Sequence, residues 1–288
     1  MVTADGKFVT ASDSENQDLF WGIRGGGGNF GIVTSFEYRL YSVGAVLGGE
    51  IWYELSKAKE VLHKYHEFAQ SCPDELSTLA GLTTSPDGIL AVVIYLCYSG
   101  SLDVGEKLVK PLRSFDKPLA DLIRPMTYLE VQGAADETPR PRYLRYWKGN
   151  FLRVLGDDAI AMMVECAKTM PSQNIIGGLE LQHMHGAASR VGPGETAFAH
   201  RYEQYDFLVH AGWTDPADSE KIVNWVRESW QRMQPFTEQA VYINDLGEEG
   251  EGRVKDAYGP NYERLLALKN KYDPANFFRL NQNIQPTA

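Results

Sequence analysis

Apolar residues recur along the chain at two spacings, one typical of helices and one typical of strands. In 55–70 the apolar residues fall along one side of a helix, whereas in 202–213 polar and apolar residues alternate, as in a strand. Two segments, 76–84 and 89–98, flank the turn sequence Ser-Pro-Asp-Gly and are expected to pair. The predicted helices are 55–70, 102–113, 157–169, 219–234 and 258–271. The predicted strands are 1–4, 7–11, 32–40, 48–53, 76–84, 89–98, 175–185 and 196–213.

The order of these elements predicts an α+β fold, in which helices pack on an antiparallel sheet. Most of the elements lie in 44–240, which we interpret as one α+β domain. The block 1–43 opens with the hairpin turn Asp5-Gly6, and the block 241–288 ends in an extended segment. The polar stretch 134–142 predicts a loop.

Composition and charge narrow the class of protein. The 288 residues are 43% hydrophobic, which is enough to bury a core. The formal net charge is −10 and no run of basic residues stands out, so we expect no nucleic-acid partner. No apolar run approaches the ~20 residues that cross a bilayer, so we expect no membrane partner. Three widely spaced cysteines without a CxxC pair favour reduced thiols over disulfides or a zinc site.

Four consecutive glycines, Gly25 to Gly28, precede the sequence Asn-Phe-Gly. Such a run is able to form a nest of N–H donors for a diphosphate, because glycine takes positive φ without steric cost. The phosphate loop GxxxxGK[ST] needs a lysine after its last glycine, and the dinucleotide fingerprint needs a helix there, whereas a strand is predicted. The run itself therefore favours a tight structural turn over a cofactor contact.

Several polar residues are candidates for chemistry. In the alternating strand 202–213, Asp206, Leu208 and His210 share one face, and a histidine suits general-base catalysis, although a structural role is the commoner one. His183 and His185 share a strand face without an obvious third ligand, which favours pocket lining or core over a metal.

The C-terminal block offers further polar side chains. Tyr242, Asn244 and Asp245 lie close together in the sequence, and three amides follow at 281–283. These groups suit either the edge of a heterocycle or a solvated terminus. No GxSxG motif and no cysteine–histidine pair points to a nucleophilic triad.

Motifs at both ends of the chain carry a resemblance to a known family. The sequence DLFWGIRGGGGNFGIVTSFEYRL near one end and YGPNYERLLALKNKYDPANFFRLNQNIQP at the other are similar to the berberine-bridge-enzyme-like FAD-linked oxidases. This group belongs to the vanillyl-alcohol oxidase and p-cresol methylhydroxylase flavoprotein superfamily. The middle agrees, through YWKGNF, HMHGAASRVGPGETAFAHR and YINDLGEEGEGRV.

The resemblance implies an FAD cofactor and a role for each matching position. The block 44–240 corresponds to the substrate domain, 1–43 to the end of the FAD-binding domain, and 241–288 to a segment that returns to that domain. His210 corresponds to the general base, with Tyr242 or Asp245 as its helper. Asp245 replaces a tyrosine that many relatives have at this position. The implied cofactor-binding residues are Gly28, Asn29, Gly31, Ile32, Val33, Asn281, Gln282 and Asn283. The implied substrate-lining residues are Asp206, Leu208, His183 and Asn244.

The resemblance also implies what this chain lacks. Family members begin with a long FAD-binding region, which contains the pyrophosphate loop and the histidine that links to the flavin. We therefore expect a truncated or split oxidase that binds FAD weakly or not at all on its own. We also expect a cytoplasmic location. The expected partners are a small-molecule substrate and either a separate N-terminal FAD-domain polypeptide or a second copy. The alternative is a non-redox remnant that binds a small molecule or a protein without FAD.

Overall fold

The computed structural model describes residues 1–134, 143–171, 175–247, 249–280 and 282–287. The chain forms two compact units. The sheet unit comprises Tyr41–Gly186 and Glu203–Glu238, and the terminal unit comprises Met1–Leu40, Ala187–Tyr202 and Gln239–Ala288. The terminal unit thus includes 187–202 along with the two terminal blocks. The predicted loop at 134–142 lies, apart from its first residue, outside the described residues, as does Asn281.

The helices and strands follow each other in mixed order. The helices are α1 (Gln17–Ile23), α2 (Ala58–Ala69), α3 (Leu102–Ser114), α4 (Tyr128–Gly133), α5 (Asp157–Lys168), α6 (Ala187–Arg190), α7 (Ser219–Met233), α8 (Glu251–Tyr258) and α9 (Tyr262–Tyr272). The strands are β1 (Ala45–Glu54), β2 (Leu76–Thr84), β3 (Leu90–Tyr98), β4 (Ala120–Asp121), β5 (Arg124–Thr127), β6 (Leu144–Leu152), β7 (Ile176–Met184) and β8 (Gln204–Trp213). Within the described part of the chain, no helix is both long and apolar enough to cross a bilayer.

The sheet unit confirms the α+β class. Its strands pair antiparallel in the order β4-β1-β3-β2-β7-β8-β6, and β5 also pairs with β1. Side chains from α2, α3, α5 and α7 share a hydrophobic core with one face of this sheet. Because successive strand residues point to opposite faces, the other face stays free of these helices, and we call it the open face.

Burial along β8 and α2 shows how the sequence pattern produces this layer. Tyr205, Phe207 and Val209 are fully buried in the core, while the intervening Leu208 and His210 are half-buried on the open face. The four apolar residues on one side of α2, namely Val61, Leu62, Tyr65 and Phe68, are all buried. Burial of each such side chain contributes about 1.5–3 kcal/mol, so the alternation determines which face meets the helices.

Several sequence predictions in the sheet unit are confirmed, and two need correction. The hairpin 76–98 and the helices near 58, 102, 157 and 219 are present. The strand predicted at 196–213 begins only at Gln204, because 196–202 packs in the terminal unit. Strand β6 was not predicted, since its sequence LRYWKGNFL carries polar residues on both faces, as an edge strand can.

The terminal unit has its own core. Leu19 and Phe30 from the N-terminal block pack with Tyr258, Leu265 and Ile284 from the C-terminal block. The predicted helix 258–271 is present as α9, and α8 precedes it. Both ends of the chain therefore contribute to a single hydrophobic cluster.

The strands predicted at 1–4, 7–11 and 32–40 are wrong. Only isolated bridges form there, from Val2 to Phe8 and from Val2 to Ile32. The Asp5-Gly6 turn is present, since Gly6 N donates to Thr3 O at 3.0 Å. The segment 33–44 is instead irregular and largely exposed, because no neighbouring strand among the described residues satisfies its backbone.

Candidate active site

The open face of β8, the strand next to the edge strand β6, carries His210. His210 lies opposite Gly178 of β7 and Trp147 of β6. The neighbouring Gly177 has φ +112°, and a Cβ there would come within 2.8 Å of His210 Nδ1. Glycine is therefore required at this position, because a side chain would collide with the imidazole and would also strain the backbone.

A carboxylate lies beside this imidazole. Glu180 of β7 is opposite Leu208, and its Oε1 is 3.0 Å from His210 Nε2. Both side chains are partly exposed, at 29% for His210 and 27% for Glu180. The contact is close but not aligned as a hydrogen bond, and Nε2 has no other hydrogen-bond partner among the described residues. The pair thus brings a carboxylate and an imidazole together on the open face, a combination that suits general-base catalysis.

A row of side chains crosses the open face next to this pair. The strand register places Glu50, Tyr95, Leu79, Gln182 and Asp206 opposite one another on β1, β3, β2, β7 and β8. We call these five residues, of which all but Leu79 are polar, the polar row. Since directly opposite residues share a face, the row brings one phenol, one amide and two carboxylates to the same surface as His210.

The pKa of Tyr95, a member of the polar row, is shifted by its surroundings. Burial raises the pKa of its phenol, and the negative charges of Glu50 and Glu180 and a hydrogen bond with Glu50 act in the same direction. The phenol therefore stays protonated throughout the neutral range and serves as a hydrogen-bond donor.

A cavity of about 1190 Å³ lies over the polar row on the side of β1. Apolar residues from the segment that follows β4 and from α4 form much of its wall. The apolar wall residues are Leu122, Ile123, Met126, Leu129 and Val131. Polar groups from the row, namely those of Glu50, Tyr95 and Gln182, reach the same cavity. Apolar walls with a few convergent polar groups are typical of small-molecule sites.

His183, which is predicted to line the substrate site, lies on the opposite face of the sheet from His210. It is opposite Tyr205 on the helix-covered face, with its ring centroid 5.2 Å from that of Tyr205, so it does not share a face with His210. Its ring also stacks on His185, with centroids 4.5 Å apart. Burial lowers the pKa of His183 to about 4, and the neighbouring His185 and His66 add to the effect. Asp206 and Leu208 do share the open face with His210.

Tyr242, Asn244 and Asp245 lie together in the terminal unit. Asn244 and Asp245 belong to a single 3₁₀ turn, and Asn244 Nδ2 donates to the Tyr242 hydroxyl at 2.7 Å. The Tyr242 ring packs edge-on against Phe198, with centroids 5.7 Å apart. His210 belongs to the sheet unit, so joint action of these residues with His210 stays a prediction.

The glycine run is mainly explained by packing. Gly25 has φ +126°, and a Cβ there would overlap the backbone nitrogen of Phe198. A Cβ at Gly31 would come within 2.5 Å of Val2 O. Gly28 differs, because it is exposed and a Cβ there would meet nothing. Of these three glycines, only Gly28 has no packing reason to be glycine.

Asn29 holds the two ends of the chain together. Its Nδ2 donates to Gly26 O at 2.9 Å and to Gln282 O at 3.2 Å, and its Oδ1 accepts from Ile284 N at 2.9 Å. Gln282 also uses its own amide internally, since Nε2 donates to Leu246 O. The side chains of Asn29 and Gln282, both predicted to bind the cofactor, are thus occupied by contacts within the terminal unit.

One predicted cofactor residue does offer an unused group. Asn283 Oδ1 is buried and accepts no hydrogen bond from any described residue. An orphaned buried acceptor is costly, so it fits a site that receives a donor from a bound group, such as the ring N–H of a flavin. Ile32 has both backbone groups bonded to Val2, and Val33 follows it at the start of the exposed segment.

Comparisons with known proteins identify relatives among FAD-linked oxidoreductases. The sequence profile of the family described as "Berberine and berberine like" matches residues 241–285. An FAD-linked oxidoreductase of Dictyostelium discoideum is 29% identical over 99% of this chain and 62% of its own length. The (R)-6-hydroxynicotine oxidase of Paenarthrobacter nicotinovorans is 27% identical over 99% of this chain and 64% of its own length.

Solved structures show the same fold. The crystal structure of 6-hydroxy-D-nicotine oxidase from Arthrobacter nicotinovorans aligns with a TM-score of 0.86 and 26% identity, and the alignment covers 99% of this chain and 65% of that one. A berberine-bridge-enzyme-like protein of Physcomitrella patens aligns with a TM-score of 0.84 and 21% identity over 96% of this chain and 62% of that one. Residues 241–285 therefore carry the berberine-like domain, and the chain as a whole is similar to FAD-linked oxidoreductases. It spans a little over three fifths of the length of the curated relatives it matches, at 62% and 64% for the two named above.

The candidate site contains residues that the sequence did not single out. Glu180, Tyr95 and Glu50 lie on three different strands and meet on the open face only through the register of β7, β2, β3 and β1. Each is one of the few polar residues of a largely apolar strand, which is the signal that the sequence offers. The sequence alone does not show the strand register that brings these three residues together.

Proposed function

We propose that this chain forms the substrate side of an FAD-dependent oxidase, with His210 as the base that accepts the substrate proton. The observation that carries the proposal is the Glu180–His210 pair, whose atoms lie 3.0 Å apart on the open face of the sheet. When FAD is bound, it supplies the hydride acceptor and passes the electrons on to a terminal acceptor.

The proton transfer follows from the position of the pair. Removal of hydride from a carbon that bears a hydroxyl or amino group requires the loss of a proton from that group. The imidazole of His210 takes the proton, and the Glu180 carboxylate beside it stabilises the resulting imidazolium. Tyr95 and Gln182 contribute a phenol donor and an amide to position the substrate, and Leu208 adds an apolar contact beside the base.

The terminal unit contributes on the cofactor side. Asn283 would hold the flavin by accepting a hydrogen bond at its buried Oδ1. Gly28 is exposed and would allow the cofactor to approach the glycine turn closely. The backbone of Gly31, Ile32 and Val33 would support the cofactor-binding turn. The N–H and C=O groups of Ile32 are already hydrogen-bonded to Val2. Tyr242 and Asp245 assist deprotonation, and Asn244 fixes the Tyr242 hydroxyl.

The oxidase requires a second polypeptide segment that carries the remainder of the FAD-binding domain. The chain spans only 62–64% of its FAD-linked relatives, and the exposed segment 33–44 presents a backbone with no printed partner strand. Such a backbone is able to pair with an added strand. We propose that the partner is a separate N-terminal FAD-domain polypeptide or a second copy of the chain, and that the substrate is a small-molecule alcohol, sugar or amine.

The test is retention of flavin followed by its reduction. The purified chain is incubated with FAD, alone and after coexpression with the N-terminal FAD-binding region of the Dictyostelium relative, and unbound flavin is removed. We expect a flavin absorption band in the coexpressed sample and its anaerobic bleaching by at least one of benzylamine, benzyl alcohol and glucose. Failure of both samples to retain flavin would favour a non-redox protein that binds a small molecule.

A further inference from the structure

Five strands of the open face are acidic, while the flanking strands β5 and β6 place Arg124 and Arg145 on the same face. The five strands β1, β2, β3, β7 and β8 contain no lysine and no arginine. Glu50, Glu180 and Asp206 project from this face, and the imidazole of His210 is the basic group that these five strands place beside them. A molecule that enters the cavity therefore meets a negative potential, which favours cations over anions.

The charges that line the cavity differ in how they are balanced. Asp121 is paired with Arg113, whose Nε lies 2.8 Å from Oδ2, and Glu130 is paired with Arg124 at 3.1 Å. Glu50 is different, because no lysine, arginine or histidine among the described residues forms an ion pair with it. It is half-buried in the cavity wall, where it forms a hydrogen bond with the phenol of Tyr95.

The surroundings of Glu50 suit an ammonium group. Tyr95 lies directly opposite Glu50 and is 37% exposed. Its ring packs edge-on against that of Trp52, with ring centroids 6.5 Å apart. An aromatic face attracts a cation, and a carboxylate beside it supplies a charge-assisted hydrogen bond. The wall residues Leu122 and Met126 provide apolar contacts for the rest of such a molecule.

We infer that the cavity is a subsite for a substrate with a protonated amino group and an apolar body. Glu50 binds the ammonium group, the Tyr95 ring contacts it, and the apolar wall covers the body. The identification of this ligand as a substrate rests on the function proposed above, whereas its binding does not.

The direct test compares two probes of similar shape, benzylammonium and benzyl alcohol, by isothermal titration calorimetry on the full chain at low salt. We expect benzylammonium to bind about tenfold more tightly than benzyl alcohol, and added salt to reduce this ratio. Glu50→Gln removes the preference, and Tyr95→Phe keeps the preference for the cation but weakens its binding about threefold. The matched control is Glu54→Gln, which makes the same charge change on β1 at an exposed residue bonded to Ser56 and leaves the ratio unchanged.

Equal binding of the two probes by the wild-type chain, or binding of neither, would overturn the inference. So would a folded Glu50→Gln variant that keeps the preference. The wild-type comparison remains decisive even if Glu50→Gln does not fold. No flavin is needed for any of these measurements, so the inference can fail while the proposed oxidation stands, and the reverse is equally possible.

Discussion

Lys269 is a fully buried lysine whose ammonium group has three acceptors. Its Nζ donates to Asp273 Oδ2 at 2.6 Å, to Phe278 O at 2.6 Å and to Asn29 O at 3.1 Å. Burial alone would raise the pKa of Asp273, but the hydrogen bonds from Lys269 and from the amides of Phe277 and Phe278 outweigh it and lower that pKa. This contribution to stability is therefore present at neutral pH and is lost in acid, as the pH falls below the ordinary aspartate value of 3.8.

Lys269→Met should destabilise the protein by about 3–5 kcal/mol, because it leaves the buried Asp273 carboxylate without its counter-charge. The measurement is urea-induced unfolding at pH 7. The control is Lys271→Met, which removes an exposed ion pair with Asp18 and should cost no more than about 1 kcal/mol. Equal losses for the two variants would contradict the role given to Lys269.

His183 makes stability depend on pH in a different range. Its folded-state pKa of about 4 lies below the ordinary value of 6.5, so the unfolded chain binds more protons between these two values. Stability should therefore fall by roughly 1 to 3 kcal/mol as the pH is lowered from 6.5 to 4.

The check on His183 is the thermal midpoint as a function of pH. His183→Gln should flatten the profile between pH 6.5 and 4, whatever its effect on stability at pH 7. His63→Gln, at a histidine on α2 with a 42% exposed side chain, is the control and should leave the slope unchanged. A wild-type profile without this slope would show that His183 is not held neutral by burial.

At the scale of elements, the glycine turn before Asn29 is held by backbone packing. Gly25 combines a positive φ with direct contact to the backbone of Phe198, whereas Gly28 is exposed and open. Gly25→Ala should cost about 2 to 4 kcal/mol of stability, from backbone strain together with steric overlap. Gly28→Ala should leave the free energy of unfolding nearly unchanged, and chemical denaturation of both variants decides between these expectations.

The sequence predicted those elements in which the pattern of apolar and polar residues follows the burial of the side chains. The alternation in β8 gave the faces of Phe207 and His210 correctly, because one face meets the helices and the other does not. The strand predicted at 32–40 was wrong, because β-branched and aromatic residues favour a strand only where a neighbouring strand accepts their hydrogen bonds. The contact between Glu180 and His210 was beyond prediction, since it depends on the register of two strands.

At the scale of the whole molecule, the exposed segment 33–44 is where we expect a partner to bind. Phe36 is 64% exposed, Tyr38 is 72% exposed and Leu40 is 88% exposed. In the isolated chain its amides should exchange with solvent rapidly at every protein concentration, whereas those of β3 should be protected. Coexpression with the FAD-domain polypeptide should slow exchange in 33–44. Protection that increases with the concentration of the isolated chain would instead identify a second copy as the partner.

The claim that His210 is the base is tested most directly by the anaerobic rate of flavin reduction. The FAD-loaded protein is mixed with whichever of benzylamine, benzyl alcohol and glucose reduces it fastest, and the loss of flavin absorbance is followed. His210→Gln should lower the rate by about 10²- to 10⁴-fold, and Glu180→Gln should lower it less, because the base itself remains. His63→Gln should match the wild type. Reduction of the His210→Gln protein at the wild-type rate would contradict the account.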